Sequence, residues 1–348
     1  MSGMIDQDLA RISEGLVYSA MLVYTGAFGA FATDLSLRGK VLAAASAATS
    51  ATASVREPVA VGAEGTGGPA EPPAAPVAPV VAQVKAEAVP HRSRALGIAL
   101  ALTVLAFALH AGGVLARGLA AGRAPWGNMY EFSVSGSCVV TGVFLAVLLR
   151  RDLRFLGTFV VGPVLLTLGL AVTVLYTAAA PLMPALQSFW LIIHVSVAFI
   201  ASALLTIGFS TSVLQLLQAR LERAPSPRAA LGGQPRGRFM SALPASAELE
   251  RLAYRLHVIA FPMWTFTVIA GAIWAEAAWG RYWGWDPKEV WSFIVWVVYA
   301  AYLHARVTRG WDGNRAAYLA IAGYACVLFN FLGVNILFVG WHSYAGVG

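Results

Sequence analysis

The chain has 348 residues, of which 58% are hydrophobic and only 12% charged, with a formal net charge of +7. A soluble domain carries about 25% charged residues, so too few polar side chains remain here to clothe a water-facing surface. That excludes a soluble globular protein, a chain disordered over most of its length and a disulfide scaffold. Cys138 and Cys326 sit in apolar runs and form no CxxC pattern, so neither a structural disulfide nor a cysteine metal site is expected. Basic charge in a soluble chain would raise nucleic-acid binding. Here the Lys and Arg residues fall between apolar segments, the pattern of a membrane protein with no nucleic-acid partner.

Runs of membrane-spanning length predict an all-α, polytopic transmembrane bundle of about eight spans. They lie near 14–33, 95–116, 132–149, 155–177, 188–216, 256–276, 288–306 and 316–339. The first is read as a retained helix, because no small-x-small cleavage site precedes the polar chain. The fifth is uncharged from Ser188 to Ala219 and is expected to tilt or project from the bilayer. Nineteen of the 24 Lys and Arg fall in 34–94, 150–154, 217–255 and 306–315, which makes those segments cytoplasmic. Both termini and the loops 117–131, 178–187 and 277–287 are then extracytoplasmic, in a multi-pass protein of a bacterial cytoplasmic membrane surrounded by lipid.

Three regions follow: a first span (1–33), a cytoplasmic linker (34–94) and a seven-span core (95–348). Segment 41–94 holds 7 of the 17 prolines and no Phe, Tyr or Trp, so it is expected to be disordered. Segment 224–246 is a shorter loop of similar character. No internal repeat and no β pattern is evident.

Residues 274–296 read WAEAAWGRYWGWDPKEVWSFIVW and hold six of the eleven tryptophans. An interfacial aromatic belt accounts for one or two of them. It does not account for Trp279, Trp283 and Trp285 crowded with Gly280 and Gly284 into one short outward loop. Several indole faces with glycines between them suit a large planar aromatic ligand, porphyrin above all. Asp286-Pro287-Lys288-Glu289 also has the spacing of a helix start, with Asp286 as N-cap, proline at the first position and Glu289 closing a capping box. The two roles are compatible, because a capped start fixes the loop rigidly.

Trp279-Gly280-x-x-Trp283-Gly284-Trp285-Asp286-Pro287-Lys288-Glu289-x-Trp291 resembles the tryptophan-rich WWD signature of heme-handling proteins. The continuation through Trp291-Ser292 and Tyr302-Leu303-His304 resembles the CcsA (ResC) branch of cytochrome c biogenesis proteins, system II. The likeness covers roughly 95–345, with the WWD segment at 277–291. Other WWD proteins, CcmC and CcmF, usually continue differently.

Topology sorts the six histidines. His194, at the outward end of the fifth span, and His342, after the eighth, share a side with the tryptophan loop. Two imidazoles about a flat aromatic platform can hold heme iron from both faces; alone, each would read as a hydrogen-bonded core residue. The resemblance agrees, since both match the family's external axial histidines. His304 lies 18 residues past Asp286, about 27 Å along a helix, and cannot reach the same heme. The family assigns its position to an inner heme site, paired with a histidine of a ResB-type (CcsB) partner; on geometry alone, His257 at similar depth competes as its mate. His110 is read as structural, and His91 lies in the linker. Arg281 and Lys288 bracket the tryptophans, where they either meet heme propionates or anchor the interface. Trp126-Gly127-Asn128-Met129-Tyr130-Glu131 also resembles a family segment, with no evident physical role.

The expected function is export of heme b across the membrane and its presentation for covalent attachment to apocytochrome c. Heme b is here substrate and cargo. The resemblance implies holocytochrome c synthase activity together with the ResB-type partner. It also implies an apocytochrome bearing CxxCH, a reductant and a thiol-reducing pathway as partners. The alternatives are a b-type electron-transfer subunit and a transporter of another solute.

Overall fold

A computed structural model describes residues 6–54, 93–223 and 239–342. Among them the chain is all helical and without strands. Asp6 accepts the backbone N–H of Asp8 and of Leu9, both at 3.0 Å, and so starts α1 (Gln7–Ser54). Then come α2 (Arg94–Ala121), α3 (Met129–Leu148), α4 (Gly157–Thr173), α5 (Phe189–Arg223), α6 (Ser246–Trp279), α7 (Pro287–Arg309) and α8 (Asn314–Leu328). The last span continues through a π-helical turn at Phe329–Gly333 into α9 (Val334–Leu337). Among the described residues eight helices are long and apolar enough to cross a membrane, as the hydropathy runs predict.

The stretch read as the start of a disordered linker is helical up to Ser54. Its composition explains this: KVLAAASAATSATAS is rich in alanine, the strongest helix former, and the first helix-breaking proline comes later, at Pro58. The remainder of that segment, including His91, lies outside the described residues, as does most of the 224–246 loop. At 35 residues α5 spans about 52 Å, longer than a bilayer's apolar core, and it ends at Arg220 and Arg223.

In lipid there is little hydrophobic drive between helices, so association depends on close approach and on interhelical hydrogen bonds. Along α1 and α2 the small residues Ala20, Ala27, Ala99 and Ala106 are buried, and Ser13 Oγ donates to the Gly113 carbonyl at 2.8 Å. Tyr24 is buried and donates to Thr141 of α3 at 3.1 Å, while His110 meets the Tyr24 ring edge-on. That contact fits the structural role expected of His110. Leucines such as Leu22, Leu115 and Leu166 point outward, as lipid-facing residues do. A separate apolar cluster of Leu186, Leu191, Val195, Phe199 and Trp274 lies between α5 and α6, next to the site.

Candidate functional site

The tryptophan segment enters α7 through the predicted capping box. The Asp286 carboxylate accepts the Lys288 N–H at 3.1 Å, and Glu289 accepts the N–H groups of Gly284 at 2.8 Å and Asp286 at 3.1 Å. The backbone of 284–286 thereby wraps one carboxylate. This holds Trp285 at φ +60, a left-handed conformation that bulky residues rarely adopt.

Asp286 has a second set of partners, 55 and 56 residues along the chain. Trp341 N–H donates to its Oδ1 at 2.6 Å, and His342 Nδ1 lies 2.8 Å from its Oδ2. The chain passes close enough at Gly340 that a Cβ there would lie 2.3 Å from Asp286 Oδ1, so only glycine fits. Burial raises the carboxyl's proton affinity. Hydrogen bonds from His342, Trp341 and Lys288 outweigh that and hold its pKa below the ordinary carboxylate value. An ionised carboxylate on Nδ1 selects the His342 tautomer whose lone pair is on Nε2.

His194 is fixed in the same manner by a different acceptor. Its Nδ1 lies 2.9 Å from the Thr267 carbonyl, which places the Nε2 lone pair on the other side of the ring. The ring packs on Trp274 at 5.6 Å and over Gly271, where a Cβ would stand 2.9 Å from its Cε1. Both imidazoles therefore have Nδ1 anchored by an acceptor.

Both also line one cavity, of about 210 Å³ and open on one side. Its walls come from α3, α5, α6, α7, α8 and the loops at one end of the bundle. They are largely apolar and aromatic, with Trp126, Trp264, Trp274, Trp279 and Trp283 among them. Its flat indole walls and two imidazoles suit a planar aromatic ligand.

The structure separates the remaining expected site residues. Trp279 and Trp283 line the cavity with His194, His342 and Lys288; Trp279 meets the His342 ring edge-on at 5.1 Å. Trp285 is 73% exposed outside it, and Trp291 packs against Phe329 at 4.2 Å. Arg281 lies outside the wall as well, 3.4 Å from Glu289 and over the Trp341 ring at 5.2 Å. Asp286 acts behind His342 and not in the wall. His304 is exposed on α7, far from this end. His257 is fully buried against Tyr299 at 5.3 Å and Tyr302 at 5.1 Å. Apart from a loose approach to the Ala253 carbonyl, its ring nitrogens have no hydrogen-bonding partner among the described residues. His257, on α6, is thus buried against α7, whereas His304 is exposed on that helix.

One wall was illegible in the sequence. Trp126, Gly127, Asn128 and Met129 line the cavity opposite the tryptophan segment. Asn128 caps α3 by accepting the Glu131 N–H at 2.8 Å, and Glu131 accepts the Gly127 N–H at 2.9 Å. Arg117 at 3.0 Å and Arg123 at 2.7 Å neutralise the buried Glu131 carboxylate. The second loop uses the same parts: Arg281, Trp283-Gly284, Asp286 as cap, and Glu289 on the Gly284 N–H. The available signal was the shared pattern of Arg, Trp-Gly and a cap residue three before Glu.

These features define a polytopic helical membrane protein with a tryptophan-walled cavity flanked by two anchored imidazoles. The chain belongs to the cytochrome c assembly protein family, whose profile matches residues 126–342, and within it to the CcsA group. It is 34% identical over 298 residues to the cytochrome c biogenesis protein CcsA of Picosynechococcus sp., covering 72% of this chain and 86% of that one. It is 36% identical over 245 residues to CcsA of Heterosigma akashiwo, covering 63% and 76%. With CcsA of Guillardia theta it shares 45% identity over 175 residues, covering 48% and 57%. Among solved structures, the cytochrome c heme lyase CcmF aligns with a TM-score of 0.50 over 94% of this chain. The chain spans 49% of that protein, and at 19% identity the likeness concerns the fold. Family membership assigns the protein to cytochrome c maturation as a multi-pass membrane protein. It implies heme handling, with apocytochrome c and other assembly proteins as partners.

Proposed function

We propose that the chain carries heme b outward across the bacterial cytoplasmic membrane and holds it between His194 and His342, on the extracytoplasmic side, for attachment to apocytochrome c. The observation that carries this reading is the pair of imidazoles in one tryptophan-walled cavity, each anchored through Nδ1 by an acceptor behind it. Bis-histidine ligation fixes the plane of the macrocycle and leaves its edge to the incoming substrate. Each cysteine thiol of CxxCH then adds across one vinyl group. Sulfur bonds to the carbon next to the ring, the proton goes to the terminal carbon, and no net electron transfer occurs.

Catalysis on this reading is positioning, since the substrate brings its own nucleophiles. Synthase activity would need a ResB-type partner, which supplies the mate of the exposed His304 at the inner site. The distribution of Lys and Arg supports the orientation. The test is the absorption spectrum of the complex purified with its partner. A bis-histidine Soret and α band is expected, lost in His194→Ala and in His342→Ala and partly restored by added imidazole. Normal heme and normal cytochrome c assembly in either variant would remove that residue from the ligand set. Absence of any Soret band in the native complex would favour transport of another solute.

A further inference from the structure

Lys288 lines the cavity and, among the described residues, is the one Lys or Arg side chain in its wall. Its Nζ donates to the main-chain carbonyl of Asn330 at 2.8 Å, at the π-helical turn of the last span. Among the described residues no carboxylate stands within 4.0 Å of it. The two nearest in sequence are committed: Glu289 to Arg281 and two backbone N–H groups, Asp286 to His342, Trp341 and the helix cap. An ammonium has three donors, and this half-buried one has a single acceptor among the described residues, the Asn330 carbonyl. Beside it, Ser292, Asn330 and Asn335 make a polar patch in the wall; Glu289 lines the cavity too, with its carboxylate turned to Arg281 and the N–H groups of Gly284 and Asp286. The amide nitrogen of Asn330 donates to Ser292 at 3.2 Å, and its amide oxygen is buried without a partner.

We infer that Lys288 is the socket for one carboxylate of the cargo, a porphyrin propionate, and that it sets which edge of the macrocycle faces the mouth. The inference rests on the heme reading above. The two vinyl groups of protoheme lie on the edge opposite the two propionates. A propionate drawn to the Lys288 ammonium turns the vinyl edge to the opposite side of the cavity, away from the start of α7. Arg281 is not among the residues of the cavity wall, and one of its terminal nitrogens lies 3.4 Å from Glu289. A cavity with aromatic faces and no cation would hold the flat ring in either sense, and half of the bound heme would then present the wrong edge.

The test loads the full-length chain, in detergent, with hemin or with hemin dimethyl ester, which keeps the iron and vinyls but has no carboxylate. The native chain should bind hemin about tenfold or more tightly than the ester, the range of a charge-assisted pair. Lys288→Met should weaken hemin to the level of the ester and leave the ester unchanged; Lys288→Arg should keep much of the preference. Equal affinity of the native chain for both porphyrins, which needs no variant to fold, overturns the inference. So does an undiminished preference in Lys288→Met. Neither porphyrin giving a bis-histidine spectrum in the native chain would sink the heme reading itself, whereas equal binding of both sinks only the role of Lys288.

Discussion

Replacing Asp286 by Asn separates two roles that one carboxylate combines. The cap bond from the Lys288 N–H and the contact with His342 both fall on Oδ2, whereas Trp341 donates to Oδ1. Asn is as good an N-cap as Asp, so an amide oxygen at the Oδ2 position keeps the cap within a few tenths of a kcal/mol. The contacts with Trp341 at 2.6 Å and His342 at 2.8 Å do not survive together. Both of those groups donate, and an amide offers one oxygen and one NH2. One donor must therefore face another donor at a position that is 4% exposed. A hydrogen bond to a charged group contributes about 1.5–3 kcal/mol, and outer partners of metal-bound histidines typically contribute about 10–100-fold in affinity. Asp286→Asn should therefore lower outer-site heme affinity about 10–100-fold with helical content and membrane abundance intact. Titration with hemin, followed at the Soret band, measures it. Added imidazole should recover only part of the loss, because His342 is still present but held by a neutral amide in place of a carboxylate, beside an unpaired Trp341 N–H. Native affinity in Asp286→Asn would mean that the carboxylate is a helix cap and nothing more.

Three further outcomes follow from the geometry. Gly271→Ala puts a methyl 2.9 Å from the His194 ring. It should displace that imidazole and reduce bis-histidine heme, while Gly169→Ala, with open space around it, should not; equal spectra would show that the ring has room to move. Glu131→Gln leaves Arg117 and Arg123 without their buried anion and should cost about 3–5 kcal/mol. A thermal melt unchanged from native would refute the pairing as a support of the second wall. His304→Ala, at an exposed position, should leave the melt unaltered but deplete heme at both sites if delivery passes through it, whereas a full outer complement of heme would rule that route out. His257→Ala run in parallel should spare inner heme, and a loss equal to that of His304→Ala would return the inner site to this chain alone.

The eight spans were legible because hydropathy is additive along the chain and a helix in lipid satisfies its own backbone. The capping box at Asp286 and Glu289 was legible for the same reason: its partners lie within three residues. Helix α1 ran past its expected end because alanine propensity acts locally too, and proline-rich composition further on obscured it. The sequence also placed both histidines and the tryptophan loop at one end, since charge bias assigns sides to whole loops. Only the tertiary structure joined Asp286 to His342, turned Lys288 into the cavity and left Arg281 and Trp285 outside. It also supplied the Trp126 wall, whose cap and buried Glu131 are held by Arg117 and Arg123 from the end of another helix. The contacts of Asp286 with His342 and of Lys288 with Asn330 join residues 56 and 42 apart in sequence, and the rest were decided by how helices rotate against one another and how side chains compete for the same partner. No spacing rule along a single segment contains that information.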